Sequence, residues 1–179
     1  TAFEILRRIE RSRSFADEVL DRAFGADPDL RPLDRAFIHE LVMGVLRWRG
    51  RLDWIIRQVL NDPAKKLDPG VQEILRLGVY QLFHLDRVPQ SAAVNESVRL
   101  AKALLGQEKI AGFVNAALRS VLRRKKGLVF PSLEKEPLEH LTSFLSHPRW
   151  LAERWLKEFG PEVSARICLA DNFPPPWTL

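Results

Sequence analysis

Gly112-Phe113-Val114-Asn115-Ala116-Ala117-Leu118-Arg119, continued by Ser120-Val121-Leu122 and then Arg123-Arg124-Lys125-Lys126, is the stretch whose reading decides the fold. Ile110, Phe113, Val114, Ala117, Leu118 and Val121 recur at three- and four-residue spacing, the apolar face of a helix turned toward a core. From Arg119 to Lys126 there are five basic residues and no acidic one. The C-terminal end of a helix is the negative end of its dipole, so part of this cluster needs no other partner. Five cations exceed what such an end requires, and the surplus points to an anionic partner, with RNA expected. Asn115 sits mid-helix among apolar neighbours, where it costs roughly 0.7 kcal/mol against alanine. It is expected to be buried and tied to a neighbouring helix end or loop.

Helical period extends outward from this stretch in both directions. Ala2, Ile5, Leu6 and Ile9 stripe a first helix, and Phe15, Val19, Leu20 and Ala23 a second. Asp27-Pro28-Asp29 is turn chemistry. Pro32 then stands where a first helical position tolerates a missing N–H, opening a helix with Phe37, Ile38, Leu41, Val42 and Val45 inward. Gly50 is expected to break it. Leu52, Ile55, Ile56 and Val59 carry the next helix to a turn at Asn61-Asp62-Pro63. Asp68 reads as the N-cap of a helix from Pro69, with Val71, Ile74, Leu75, Gly78 and Leu82 on one side. Pro89 precedes a helix bearing Val94, Val98, Ala101 and Leu105, which Gly106 ends.

The fold class read from this pattern is all-α: a bundle of about seven helices over residues 1–126, with no period-two alternation that would make a sheet. Residues 127–136 read as a linker. Residues 137–179 carry three short helical patterns, the second beginning at Ser146-His147-Pro148, stopped by Gly160 and followed by a third from Pro161. So little helix makes a poor independent core, and this unit should pack on the bundle or on a further domain.

Of the 179 residues, 46% are apolar and 28% charged, the balance of an ordinary globular chain. No apolar run approaches the roughly 20 residues of a membrane span, and no basic-then-apolar leader is present, so no membrane partner is expected. The single cysteine, Cys168, rules out an internal disulfide and fits a reducing, cytoplasmic setting. The chain opens at Thr1 and ends in Pro174-Pro175-Pro176-Trp177-Thr178-Leu179, as if cut from something longer. Its charge is partitioned: residues 1–126 hold 23 Lys/Arg against 16 Asp/Glu, and residues 127–179 hold 5 against 7. A basic part followed by a mildly acidic one implies two units with different work.

No catalytic constellation is legible. The nine glycines are never closer than six residues apart, so a phosphate-cradling loop is absent in recognisable form. His39, His84, His140 and His147 lack metal-ligand spacing, and no cofactor or metal is expected in this chain. Cys168 falls on an apolar stripe, unlike the electropositive and accessible setting of a reactive thiol. Asp17 and Asp21 lie one turn apart on a polar face and are better explained by solvent than by acid–base chemistry. The expected RNA contacts are Arg7, Arg11 and Arg13 near the N-terminus and Arg119, Arg123, Arg124, Lys125 and Lys126 at the end of the seventh helix. Arg119, Arg123 and Lys126 read as one stripe, while Glu4 is placed to neutralise Arg8 in part. Trp48, between Arg47 and Arg49, is either a base-stacking or a core residue.

Four ordered phrases together resemble one family: Leu41-Val42-Met43-Gly44-Val45-Leu46-Arg47, Ile74–Leu82, Val88-Pro89-Gln90-Ser91-Ala92-Ala93-Val94-Asn95-Glu96, and Gly112–Arg119. In that order they are similar to the NusB-like helical domain that begins bacterial 16S rRNA cytosine-5 methyltransferases of the RsmB (Sun/Fmu) type. Leu145–Leu151 and Arg154–Gly160 resemble the segment joining that domain to the catalytic one. The resemblance implies a parent enzyme using S-adenosylmethionine as methyl donor and small-subunit rRNA as substrate. Its cofactor site and working cysteines would lie beyond Leu179, so this portion would be catalytically silent and partnered by the parent's own catalytic domain. A free-standing NusB-type antitermination factor is the runner-up, although it would end near residues 126–135. A helical protein-binding adaptor is the third reading.

Overall fold

The computed structural model describes residues 1–12, 14–60, 62 and 66–173, the side chain of Leu105 excepted. Arg13, Asn61, Pro63, Ala64, Lys65 and Pro174–Leu179 lie outside the described residues, as do the expectations that fall on them. The all-α expectation holds: every regular element described is helical. In chain order these are α1 (Ala2–Ser12), α2 (Ala16–Ala26), α3 (Pro32–Arg47), α4 (Arg49–Val59), α5 (Pro69–His84), α6 (Gln90–Leu105), α7 (Glu108–Arg124), α8 (Pro137–Glu139) and α9 (Arg149–Asp171). A 3₁₀ turn, Lys125–Gly127, follows α7, and a π turn, His140–Phe144, continues α8.

Local chemistry sets many of these boundaries. Pro32 and Pro69 occupy first turns, where their missing N–H costs nothing. Asp68 caps α5, its Oδ1 accepting from the backbone N–H of Gly70 at 2.7 Å and of Val71 at 3.2 Å. Gly106 closes α6 in the left-handed conformation at φ 63°. Gly160 (φ 75°, ψ 174°) and Pro161 kink α9 into two helical segments, as the sequence predicts.

Two expectations need correction. The break after α3 falls at Trp48, and Gly50 lies inside the first turn of α4. Gly50 is required there by tertiary approach: a Cβ would run into the Thr142 carbonyl oxygen of the π turn. The second concerns α5, which is not amphipathic. From Gly70 to Tyr80 every residue but half-buried Gln72 is buried, and the helix packs against α1, α3, α4, α6 and α7. A helix surrounded in this way has no solvent-facing polar stripe, and its buried charges, Glu73 and Arg76, are paired instead. Gly44 on α3 makes room for the Tyr80 ring, and Gly78 on α5 makes room for Leu118 and Ser97.

Two apolar cores result. The first is centred on α5 and gathers Leu6, Val42, Ile55, Ile74, Leu75, Val79, Val114 and Leu118, among others. Each such side chain contributes roughly 1.5–3 kcal/mol on burial. On α7 the inward residues are Ala111, Val114, Ala117, Leu118 and Val121, whereas Phe113 is partly exposed instead of facing the core. The second core holds Leu141, Leu145, Ala152, Ala165 and Cys168. The π turn packs against α4, and the Gly50 backbone N–H donates to Ser146 Oγ at 2.8 Å across the junction.

Candidate nucleic-acid interface

The basic end of α7 arrives beside the C-terminal turns of α4 and α5. The last carbonyls of a helix lack partners in their own helix and carry its negative dipole. Arg124 Nη1 donates to the Gln58 carbonyl at 2.7 Å, and Lys125 Nζ to the Leu82 carbonyl at 2.6 Å. Lys125 also lies 4.8 Å from the Phe83 ring centroid. Two of the five cations are therefore held as caps on other helices. Arg119 Nε donates to Asn115 Oδ1 at 2.9 Å, one turn back on the same helix. This corrects the expectation for Asn115, which is half-buried and pairs within α7 rather than with a neighbouring helix or loop. Arg123 and Lys126 are exposed, and neither has a hydrogen-bond or ion-pair partner among the described residues. Lys126 belongs to the 3₁₀ turn, so the stripe continues past α7 with a change of helical register.

The N-terminal set lies elsewhere. α1 packs on α2, α3 and α5, while α7 packs on α4, α5 and α6, which leaves the two basic sets on different flanks. Arg7 and Arg11, with Arg8, line a hollow of about 410 Å³ on α1. The pairing expected between Glu4 and Arg8 does not form. The Glu4 carboxylate faces the Thr1 amino group at 3.6 Å, and Glu10 pairs with Arg49 at 2.6 Å. Glu4 lines the same hollow as these arginines, but its ion pair is to Thr1, and that of Glu10 is to Arg49.

Sequence reasoning missed two groups that the fold creates from distant residues. Arg76 on α5 is buried, its Nε and Nη2 donating to the two oxygens of Asp53 on α4, each at 2.7 Å, and its Nη1 to Glu73. Gln72 Nε2 adds a bond to Asp53 at 3.1 Å. Burial, opposed by Arg76, lifts the Glu73 carboxyl above its usual range. The cost of enclosing charge is offset by this fork-to-carboxylate geometry. The one available signal was a cation between Leu75 and Leu77 in an otherwise apolar run.

The second group is a stacked column. Tyr80 donates its hydroxyl to Glu40 at 2.5 Å and stacks on His84 at 5.0 Å, and His84 stacks on Trp48 at 4.9 Å. Trp48 is half-buried and packs on His84 in this column. Burial, aided by the charges of Arg51 and Lys125, pulls the His84 pKa down to about 4, so the ring is neutral at pH 7. Cys168 is enclosed in the second core, and burial raises its pKa to about 11, far from a thiolate nucleophile. Among the described residues no group of three or more His, Cys, Asp or Glu could hold a metal ion, and no helix is long and apolar enough to cross a membrane.

The described residues thus form a helical bundle with one central helix, an arginine-rich first helix and an acid-free basic end on its seventh. A Bacillus subtilis (strain 168) protein named probable ribosomal RNA small subunit methyltransferase B is 33% identical over 178 residues, covering 99% of this chain and 39% of that protein. A Synechocystis protein of the same name is 41% identical over 177 residues, covering 97% of this chain and 38% of its own length. Ribosomal RNA small subunit methyltransferase B of Pseudomonas putida is 38% identical over 146 residues, covering 82% of this chain and 32% of the relative. The chain therefore spans well under half the length of the curated relatives it matches. The NusB family itself matches residues 1–123, from α1 through nearly all of α7, and the chain belongs to the NusB family.

Proposed function

We propose that this chain is the RNA-binding portion of an rRNA (cytosine-5) methyltransferase, positioning small-subunit rRNA for a catalytic part outside these residues. In this reading residues 1–126 form the RNA-binding domain, 127–136 a linker and 137–179 the segment leading to the catalytic domain. The observation that carries it is the end of α7. There Arg119, Arg123 and Lys126 face outward with no carboxylate beside them, while Arg124 and Lys125 brace the same corner through carbonyls of α4 and α5. Phosphate contacts from such residues supply affinity and register but little sequence information. Arg7 and Arg11 form a second phosphate-binding patch, with Arg13 assigned to it from the sequence. Relatives whose similarity runs through α9 favour this over a free-standing antitermination factor, which would need only the bundle.

The methyl donor of the whole enzyme, S-adenosylmethionine, does not fit the residues described here. Gly44, Gly50 and Gly78, the tightly approached glycines, are closed by Tyr80, by the Thr142 carbonyl and by Leu118, and leave no cradle for a nucleoside. The cofactor belongs in this reading to the catalytic part, whose work on rRNA would be cytoplasmic. The test is a fluorescence-anisotropy titration of this chain with small-subunit rRNA fragments, paired with calorimetry against S-adenosylmethionine. Saturable RNA binding that weakens with salt, with no heat of cofactor binding, is the expected result. RNA binding that is absent at low salt, or stoichiometric cofactor binding, would contradict the reading.

A further inference from the structure

Arg51, in the first turns of α4, is a cation without an anion. Its guanidinium carbon lies 4.5 Å from the Phe144 ring centroid, 5.2 Å from Phe130 and 5.3 Å from Trp48. Its Nε is buried and has no hydrogen-bond partner, and no carboxylate reaches it among the described residues. The terminal nitrogens also lack a protein acceptor, yet they are not among the buried orphan atoms and so keep contact with solvent. Burial lowers the pKa of the group from its ordinary value, as expected for a cation that has lost water without gaining a counter-charge. On the ring stacked against Trp48, His84 Nε2 is a second buried atom with no partner. Glu40, the acid that acts on His84, already accepts from Tyr80. Faces of aromatic rings attract and orient a guanidinium, but they do not replace an anion.

The surroundings indicate which anion. After α7 the chain returns along α4: Arg124 reaches Gln58, the Val129 carbonyl accepts from Trp54 Nε1 at 3.2 Å, and Phe130 arrives at Arg51. From Arg119 to Phe130 this path carries no acidic residue. Arg57, exposed and 5.7 Å from the Trp54 ring centroid, stands along the same path without an acid partner. The geometry points to Arg51 as a phosphate-binding residue: its guanidinium plane, held among Trp48, Phe130 and Phe144, donates its terminal N–H groups to the oxygens of one RNA backbone phosphate. The strand then runs over Arg57 toward the basic end of α7. This assignment rests on the RNA-binding reading above and extends it to α4.

A short oligouridylate, titrated into the chain by fluorescence anisotropy across a range of salt, tests it. Arg51→Met keeps the apolar stem among the rings and removes the charge; Arg51→Lys keeps the charge and removes the planar fork. The expected result is a several-fold loss of affinity for Arg51→Met, with the slope of log affinity against log salt flattened by about 0.7 for one single-strand phosphate. Arg51→Lys retains the slope while losing affinity. An unchanged slope and affinity in Arg51→Met overturns the assignment. Since that variant could fail to fold, the wild-type chain supplies a second readout: the His84 ring resonances should move as oligouridylate saturates, and resonances that stay fixed at saturation overturn it. Wild-type binding that depends on Arg119, Arg123 and Lys126 but not on Arg51 removes this site alone. A wild-type chain that binds no oligouridylate removes the RNA reading with it.

Discussion

His84 makes the interior's charge balance measurable. Its folded pKa of about 4 lies below the roughly 6.5 of an unperturbed histidine, so between those values the unfolded chain binds more protons than the folded one. The stability this contributes is present above pH 6.5 and is lost as pH falls toward 4. Replacing His84 by Phe keeps a ring between Tyr80 and Trp48 and removes the titration. The melting temperature of the wild type should therefore drop more steeply from pH 6.5 to pH 4 than that of His84→Phe; parallel curves would show that the ring charges freely in the folded state. At this scale the sequence was legible where a backbone cap fixes the partner. Asp68 was read as a cap because its partners lie two and three residues away. Arg124 and Lys125 were read as surplus because the carbonyls they cap are 66 and 43 residues distant. Asn115 was misassigned for the opposite reason, a partner within its own helix.

Among the helices, punctuation was legible and encirclement was not. Pro32, Pro69, Gly106 and the Gly160-Pro161 pair act through backbone geometry that any helix obeys, and the structure places boundaries or a kink at each. That α5 is enclosed by other helices, and that Gly50 serves a contact rather than a break, depends on what packs against them. Gly50→Ala brings a methyl group against the backbone carbonyl of Thr142, which cannot turn aside as a side chain would. We expect a loss of about 1–3 kcal/mol, typical of overpacking, with faster proteolysis in the segment after Gly127. Gly25→Ala, on α2 with open space around it, should instead stabilise by about 0.5–1 kcal/mol through helix propensity. Equal effects of the two substitutions on chemical denaturation would mean that the α4 contact with the π turn is loose.

Over the whole molecule, the charge partition read from composition has a structural counterpart. The basic bundle carries two arginine-rich surfaces on different flanks, and the mildly acidic C-terminal residues build a small core of their own and meet α4 through the π turn. The candidate contacts at the end of α7 were legible because five cations without an acid stand out in any sequence. Arg51 was not, since its isolation from carboxylates appears only once Phe130 and Phe144 have been folded around it. The central claim is that the outward cations of α7 bind RNA phosphate. Its most direct test is the salt dependence of RNA affinity in the wild type and in a variant carrying Arg119→Gln, Arg123→Gln and Lys126→Gln together. These side chains are exposed, so the helical signal and melting temperature should survive. Each lost phosphate contact should flatten the plot of log affinity against log salt by roughly 0.7 to 0.9, a total of about two to three for the triple variant. A triple variant that stays folded and shows the wild-type affinity and slope would contradict the account, leaving the end of α7 a solvated helix terminus.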